Sequence, residues 1–317
     1  MAVETSTEKS EAGRLAGILA PVLTPFGQDL APDARRLARH CRWLLAHGCA
    51  ALAPFGTTSE ANSLSVDERE ALLDALVSDG VPAVRLMPGT GCCALPDSVR
   101  LTSHAVRRGC AGVLMLPPFY YKGVSDDGLF RGFAEVIERV GDIRLRVYLY
   151  HIPPVAQVAI GPRLVERLLR AYPNVVAGMK DSSGDFANTR TLLEAFAKDG
   201  FDVFVGSERF LLENLRGGGV GCITATGNVN AAAIERLFAS WRSPDADRLQ
   251  EEVNAIRSVV EKLPVIPALK VIVADHASDP AWVTVRPPLV ALAPEKREPL
   301  LAELRARGFS MPGLREA

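Results

Sequence analysis

A chain of 317 residues, 48% hydrophobic and 23% charged, has ordinary globular composition and room for one large α/β domain or two smaller ones. Its net charge of −1 removes the electrostatic case for nucleic acid or an anionic membrane, and no apolar run reaches the length of a membrane span. The six cysteines are scattered, with Cys92 and Cys93 adjacent rather than spaced as Cys-x-x-Cys. That usage points to reduced thiols, mostly filling core space, in a cytoplasmic protein.

Residues 1–14 are polar and of mixed charge, without the apolar core of a signal peptide, and are expected to form a flexible arm. Short apolar runs then alternate with longer helical patterns. Strands are expected over 17–23, 50–54, 83–87, 112–116, 145–150, 175–180, 203–206 and 219–224. Helices are expected over 33–46, 66–77, 97–108, 126–140, 162–171, 186–197, 209–216 and 231–241. Eight strand–helix units in succession predict a (β/α)8 (TIM) barrel over 15–243. A doubly wound sheet is the alternative, weakened because no strand is followed by the glycine fingerprint of a dinucleotide site. Beyond Ser243 three helical patterns, 245–263, 266–274 and 293–307, follow one another with no strand between them. Residues 244–317 therefore read as a helical appendix packed on the barrel.

The run Val175-Val176-Ala177-Gly178-Met179 ends abruptly in Lys180 and the polar segment Asp181-Ser182-Ser183-Gly184-Asp185. Ser182, with Asp185 three residues on, marks a helix start. Lys180 thus falls at the C-terminal end of a buried strand, where barrels of this kind carry their chemistry. Desolvation disfavours the charged form of an ammonium, and a neutral lysine amine can form an imine with a carbonyl. The competing reading is that Lys180 snorkels to solvent and pairs with Asp181 or Asp185.

The other strand ends shift that balance. One leads into Gly56-Thr57-Thr58-Ser59-Glu60, where two adjacent hydroxyls and free amides suit a carboxylate. Ser65 and Glu68 then form a capping-box pattern for the next helix. Another ends in Pro117-Pro118-Phe119-Tyr120-Tyr121, and the next carries Tyr150, a candidate proton carrier, followed by His151. The last brings Ile223 and the small residues after it, which let a ligand come close. An amine, a proton carrier and a carboxylate holder at one barrel face are what imine chemistry on a 2-oxo acid requires. The remaining lysines compete poorly; Lys270, in a helical pattern, is expected on a solvated face. No metal is expected, since there is no His-Glu-x-x-His and the five histidines are dispersed.

In this order these residues resemble the dihydrodipicolinate synthase / N-acetylneuraminate lyase family of class I, Schiff-base aldolases, from about Gly17 to beyond Asn228. The resemblance implies that Thr57 and Thr58 hold the pyruvate carboxylate, Tyr150 is the catalytic tyrosine and Lys180 the Schiff-base lysine. It implies that Tyr121, with Tyr120 as the alternative, matches the tyrosine that one subunit lends its neighbour. It also implies a homotetramer built as a dimer of dimers, no cofactor beyond the covalent imine, and a 2-oxo acid and an aldehyde as small-molecule partners. Three positions depart from the family's synthases. The arginine that follows the Tyr-x-x-Pro element there is Val155 here, the asparagine after the tyrosine is His151, and the fourth loop position is Ser59. Losing a bidentate cation at 155 argues against lysine biosynthesis and for a second substrate lacking a carboxylate at that point. A sugar-acid dehydratase or a dihydrodipicolinate synthase on the same scaffold is the alternative, and a non-catalytic 2-oxo acid binder is a third reading.

Overall fold

The computed structural model describes residues 14–316. The arm expected over 1–14 lies outside them except for Arg14, whose guanidinium donates to the Ala177 carbonyl at 3.3 Å. Seven parallel strands, β1 (Gly17–Ala20), β2 (Ala51–Leu52), β3 (Val113–Met115), β4 (Val147–His151), β5 (Val176–Asp181), β6 (Asp202–Val205) and β7 (Gly221–Ile223), lie in the order β2-β1-β7-β6-β5-β4-β3. The gap between β2 and β3 is closed by residues 86–90. The amides of Met87 and Gly89 donate to Leu52 and Pro54, each at 2.8 Å, and on the other side the Thr90 amide donates to Leu114 at 3.0 Å. This segment is the eighth stave of a (β/α)8 barrel. It stands three residues later than the strand expected over 83–87, because Pro82 starts a 3-10 turn over Ala83–Arg85. Pro88, with no N–H to give, keeps the pairing from becoming a regular ladder. Gly89 is required here, since a Cβ would fall 2.1 Å from the Phe55 carbonyl oxygen.

The helices are α1 (Ala34–Ala46), α2 (Val66–Ser78), α3 (Leu95–Arg107), α4 (Asp126–Val140), α5 (Pro153–Ala156), α6 (Pro162–Ala171), α7 (Phe186–Phe196), α8 (Leu211–Arg216), α9 (Gly227–Ala239), α10 (Ala246–Val260), α11 (Val265–Ala277) and α12 (Pro294–Ala306). Asp33 caps α1, Ser125 caps α4, and Ser65 with Glu68 makes both bonds of a capping box on α2. The α7 cap is Asp185, which accepts from the Ala187 amide, and not the expected Ser182. Helix α9 starts four residues ahead of its expected position, with a kink at Asn230. The apolar stripe of each outer helix packs on the outer face of the strands. Inside the barrel a separate set of side chains, Leu19, Met87, Leu114, Tyr148, Phe204 and Ile223 among them, fills the bore. The appendix shares the outer core: Val253 and Ile256 of α10 and Ile272 of α11 belong to the same apolar cluster as Leu44 and Leu237. No helix among the described residues is long and apolar enough to cross a membrane.

Asn228 stitches the barrel seam between β1 and β7. Its Nδ2 donates to the Pro21 carbonyl at 3.0 Å and its Oδ1 accepts the Leu23 amide at 3.0 Å. His40 of α1 also reaches that oxygen through Nε2, at 3.4 Å. Burial pushes the His40 imidazole down from 6.5 to about 4, so it is neutral in the fold at neutral pH. The unfolded chain takes up this proton first as pH falls through 6.5, so stability is lost between pH 6.5 and about 4. The shift corresponds to about 3 kcal/mol. Urea unfolding at pH 7 and pH 4.5 is expected to show most of that loss in the wild type and a clearly smaller one in His40→Gln. Equal losses in both proteins would assign the acid sensitivity elsewhere.

Candidate active site

Strands β4 and β5 pair with Tyr150 opposite Lys180 and His151 opposite Asp181. Alternation along each strand turns Tyr150 and Lys180 into the barrel and His151 and Asp181 toward the helices. Both inward side chains are buried, Lys180 at 4% exposure and Tyr150 at 3%. The Lys180 Nζ lies 4.2 Å from the centroid of the Tyr150 ring. The competing arrangement, Lys180 pairing with a following aspartate, is not adopted. Asp181 accepts from the Ser183 amide at 2.9 Å, Asn188 Nδ2 at 3.0 Å and Thr189 Oγ1 at 2.6 Å, and Asp185 is occupied as the α7 cap.

The Tyr150 hydroxyl stands 3.2 Å from Thr57 Oγ1, which joins β4 to the loop after β2. That loop is bracketed by two non-glycine residues in the left-handed region, Phe55 at φ 63° and Glu60 at φ 56°. Such backbone persists only where its surroundings over-determine it. Within it Ser59 and Ala61 donate to the Gly56 carbonyl at 3.1 and 3.2 Å, and Glu60 donates to Thr57 at 3.1 Å. The amides of Thr57 and Thr58 donate to no acceptor among the described residues. Two hydroxyls and two open N–H groups on one tight turn are the kind of donor set that a carboxylate would need. A small cavity opens beside them, lined by Gly56, Thr57, Gly91, Leu116 and Tyr150.

The remaining expected residues are placed less directly. Ser59 is fully buried; its Oγ accepts the Gly56 amide at 3.2 Å and its carbonyl accepts from Thr24 Oγ1 at 2.7 Å, so it shapes the loop from within. Ile223 is fully buried in the bore, in the same apolar cluster as Tyr150. His151 is buried on the outer side of β4, where its Nδ1 accepts the Ile160 amide at 3.0 Å. Burial lowers its pKa, with the nearby Asp181 charge acting against that. A specificity role for His151 therefore has to act through its strand, without contact with the bore. Val155, on the short helix α5, is 60% exposed. Tyr120 and Tyr121 lie on the loop after β3, 74% and 71% exposed, with their rings edge to face at 5.4 Å. Neither hydrogen-bonds to the Lys180–Tyr150 pair within this chain.

Two buried carboxylates lie behind the site, and no local sequence pattern marks the first of them. Glu208, after β6, has no exposed surface and accepts from the hydroxyls of Thr224 and Thr226 and from Arg257 of α10. Glu60 pairs with Lys270 of α11, and both side chains are fully buried. Lys270 thus corrects the expectation of a solvated face. The signal was in the sequence: Ala268-Leu269 before it and Val271-Ile272-Val273 after it leave the helix no polar side at that point.

The chain is similar in sequence and fold to known proteins. The chain matches the profile of the dihydrodipicolinate synthetase family over residues 14–307. It belongs to that family. A DapA-like lyase of uncharacterised activity from Chloroflexus aurantiacus is 32% identical over 92% of this chain and 95% of its own length. A 4-hydroxy-tetrahydrodipicolinate synthase from Acidiphilium cryptum is 33% identical over 72% of this chain and 76% of its own. Among solved structures, the dihydrodipicolinate synthase of Agrobacterium tumefaciens superposes with a TM-score of 0.85 at 32% identity, covering 92% of this chain and 99% of that one. The E. coli prophage protein YagE, solved in complex with pyruvate, superposes with a TM-score of 0.85 at 26% identity, covering 93% and 99%. Members of the family form a covalent imine on a lysine and typically need no external cofactor. The chain is accordingly a lyase.

Proposed function

We propose that this chain is a class I aldolase that cleaves or forms a 2-oxo acid, with pyruvate as the half that forms an imine on Lys180. One observation carries the reading: amine, phenol and hydroxyl stand in a connected line, with Lys180 Nζ 4.2 Å from the Tyr150 ring centroid and the Tyr150 hydroxyl 3.2 Å from Thr57. The carboxylate of the 2-oxo acid accepts from the hydroxyls and open amides of Thr57 and Thr58. Neutral Lys180 then attacks the ketone carbon. Tyr150 donates a proton to the carbinolamine oxygen as it leaves as water, and the protonated imine remains. In the cleavage direction Tyr150, or a water it holds, removes the proton from the hydroxyl two carbons beyond the imine carbon. That oxygen's electrons form the aldehyde, the adjacent carbon–carbon bond breaks, and its pair moves through the enamine carbon to the imine nitrogen. Protonation of the enamine and hydrolysis release pyruvate and free Lys180.

The second substrate follows from what the loop after β4 lacks. With Val155 where the synthases carry an arginine, no guanidinium from that position meets an aldehyde carboxylate, which favours a less polar aldehyde or a sugar-acid fragment. A homotetramer, a dimer of dimers, would bring the exposed Tyr121 of one subunit toward its neighbour's site. The carboxylate role of the loop is tested by two variants. Thr58→Val is expected to raise KM for the 2-oxo acid about tenfold or more with kcat little changed, the loss of one hydrogen bond to a charged group. Thr57→Val is expected to raise KM and lower kcat together, because Thr57 also touches Tyr150. Unchanged KM in both would remove the loop as carboxylate holder. The reading as a whole is tested by borohydride reduction in the presence of pyruvate, followed by peptide mass mapping. A pyruvate-derived adduct on Lys180 is expected; a folded protein with no adduct would reject it. Product analysis then separates aldolase, giving pyruvate plus an aldehyde, from dehydratase, giving an unbroken carbon skeleton.

A further inference from the structure

Glu60 closes the carboxylate loop, and its side chain points away from the bore into a pocket formed by the C-terminal part of the chain. There it meets Lys270, and neither side chain keeps any exposed surface. The second Glu60 oxygen, Oε2, accepts the backbone amide of Arg286 at 2.9 Å. Lys270 Nζ also donates to the Thr284 carbonyl at 2.7 Å and sits 4.5 Å from the centroid of the Phe26 ring. The Arg286 guanidinium lies 4.8 Å from the same ring, and it donates to the carbonyls of Leu30 at 2.8 Å and Ser63 at 2.6 Å and to Glu68 at 2.9 Å. Residues 284–286 and α11 thus grip the loop after β2 from behind, through one buried ion pair and a strap of backbone bonds.

Stability alone is a poor explanation for such a pair. Taking both charges out of water costs about as much as their attraction returns, and an apolar pair of similar volume is often as stable or more so. Burial pushes the Lys270 ammonium down to about 8, against the pull of the Glu60 charge, which is the mark of that cost. What the pair supplies is direction. It anchors the side chain of Glu60, whose backbone stands at φ 56°, the left-handed end of a turn whose other end, Phe55, is left-handed as well. A turn strained at both ends keeps its shape only while something holds it.

We propose that the Glu60–Lys270 pair positions the 56–60 loop, so that α11 and residues 284–286 are working parts of the 2-oxo acid site. Neither residue touches substrate; both are positioning residues, and the inference rests on the reading of that loop as the carboxylate holder. The test compares Glu60→Gln, Lys270→Met and the double variant, reading the urea midpoint and the pyruvate concentration that half-saturates borohydride trapping. Each single variant strands a buried charge and is expected to lose stability. The double variant removes both charges and is expected to regain the wild-type midpoint while still needing at least tenfold more pyruvate for half-trapping. At saturating pyruvate it still reaches full labelling of Lys180. A double variant that regains both the midpoint and wild-type half-trapping would reduce the pair to packing and overturn the proposal. If the double variant does not fold, hydrogen exchange on the wild type decides: the bonded amides of Ser59, Glu60, Ala61 and Ser63 exchanging as fast as those of the exposed loop at 119–124 would overturn it, and slow exchange would support it. Absence of an adduct in the wild type at every pyruvate concentration would reject the imine reading instead, and the exchange measurement would then judge the loop's hold by itself.

Discussion

Lys180→Met is expected to abolish turnover and the borohydride-trapped adduct together, while the protein remains folded. Methionine nearly matches the length of the lysine stem and carries no charge, so the site, 4% exposed in the wild type, closes over it without a cavity. Removing a polar amine from so dry a position relieves desolvation, and the unfolding free energy is expected to stay within about 1.5 kcal/mol of wild type or to rise. The rate has no such reserve. Without the amine there is no imine nitrogen to take the electron pair when the carbon–carbon bond breaks, and Tyr150 and the loop can only bind and shuttle protons. Loss of a covalent nucleophile in this way is expected to lower kcat by on the order of 10⁴-fold or more. Pyruvate should still bind, because Thr57 and Thr58 are untouched, and protection of the 57–63 amides from exchange by pyruvate reads that directly. Turnover retained within about a hundredfold of wild type would exclude an imine on Lys180 and direct attention to another carbonyl chemistry in the same barrel.

The parts of this site that the sequence discloses are those in which local chemistry and position coincide. Val176 to Met179 are apolar because the strand is buried on both faces, so the lysine at its end is conspicuous. Ser65 and Glu68 form their capping box from a four-residue pattern that needs no tertiary context. The readings that went astray depend on contacts distant in the chain. Ser182 looks like a cap on spacing alone, yet Asp185 accepts the helix amide because Asp181 has already drawn the Ser183 amide to itself. The expected strand at 83–87 is displaced because its proline neighbours dictate a 3-10 turn first and broken pairing afterwards, a balance that the apolar run does not record. A lysine in a helical pattern reads as solvated by its type, yet the apolar neighbours on both sides of Lys270 deny it a wet face. Its partner, Glu60, lies more than two hundred residues earlier in the chain, and no periodicity links the two. His151 follows the proposed catalytic tyrosine directly, but the alternation of a strand turns consecutive side chains to opposite faces, so adjacency in sequence removes it from the bore.

Tyr150→Phe separates the proton work from the imine. The ring remains, and with it the surface over which Lys180 sits; only the hydroxyl 3.2 Å from Thr57 is lost. The adduct with pyruvate is therefore expected to form on Lys180 to the same final extent, but more slowly. The steady-state kcat is expected to fall by about 10²–10⁴-fold, the span of a positioned acid–base group, with KM for the 2-oxo acid little changed because Thr57 and Thr58, the proposed carboxylate contacts, are kept. A fall of less than about tenfold would remove Tyr150 as the proton carrier. The pairing with Thr57 adds a sharper check. If Thr57 lowers kcat only by orienting the Tyr150 hydroxyl, then Thr57→Val made on top of Tyr150→Phe has no rate left to take and should act on KM alone. Strong non-additivity in kcat is thus expected for the double variant, together with near-additivity in KM. Two independent losses in kcat would instead mean that Thr57 contributes to the rate by a route that does not pass through the Tyr150 hydroxyl.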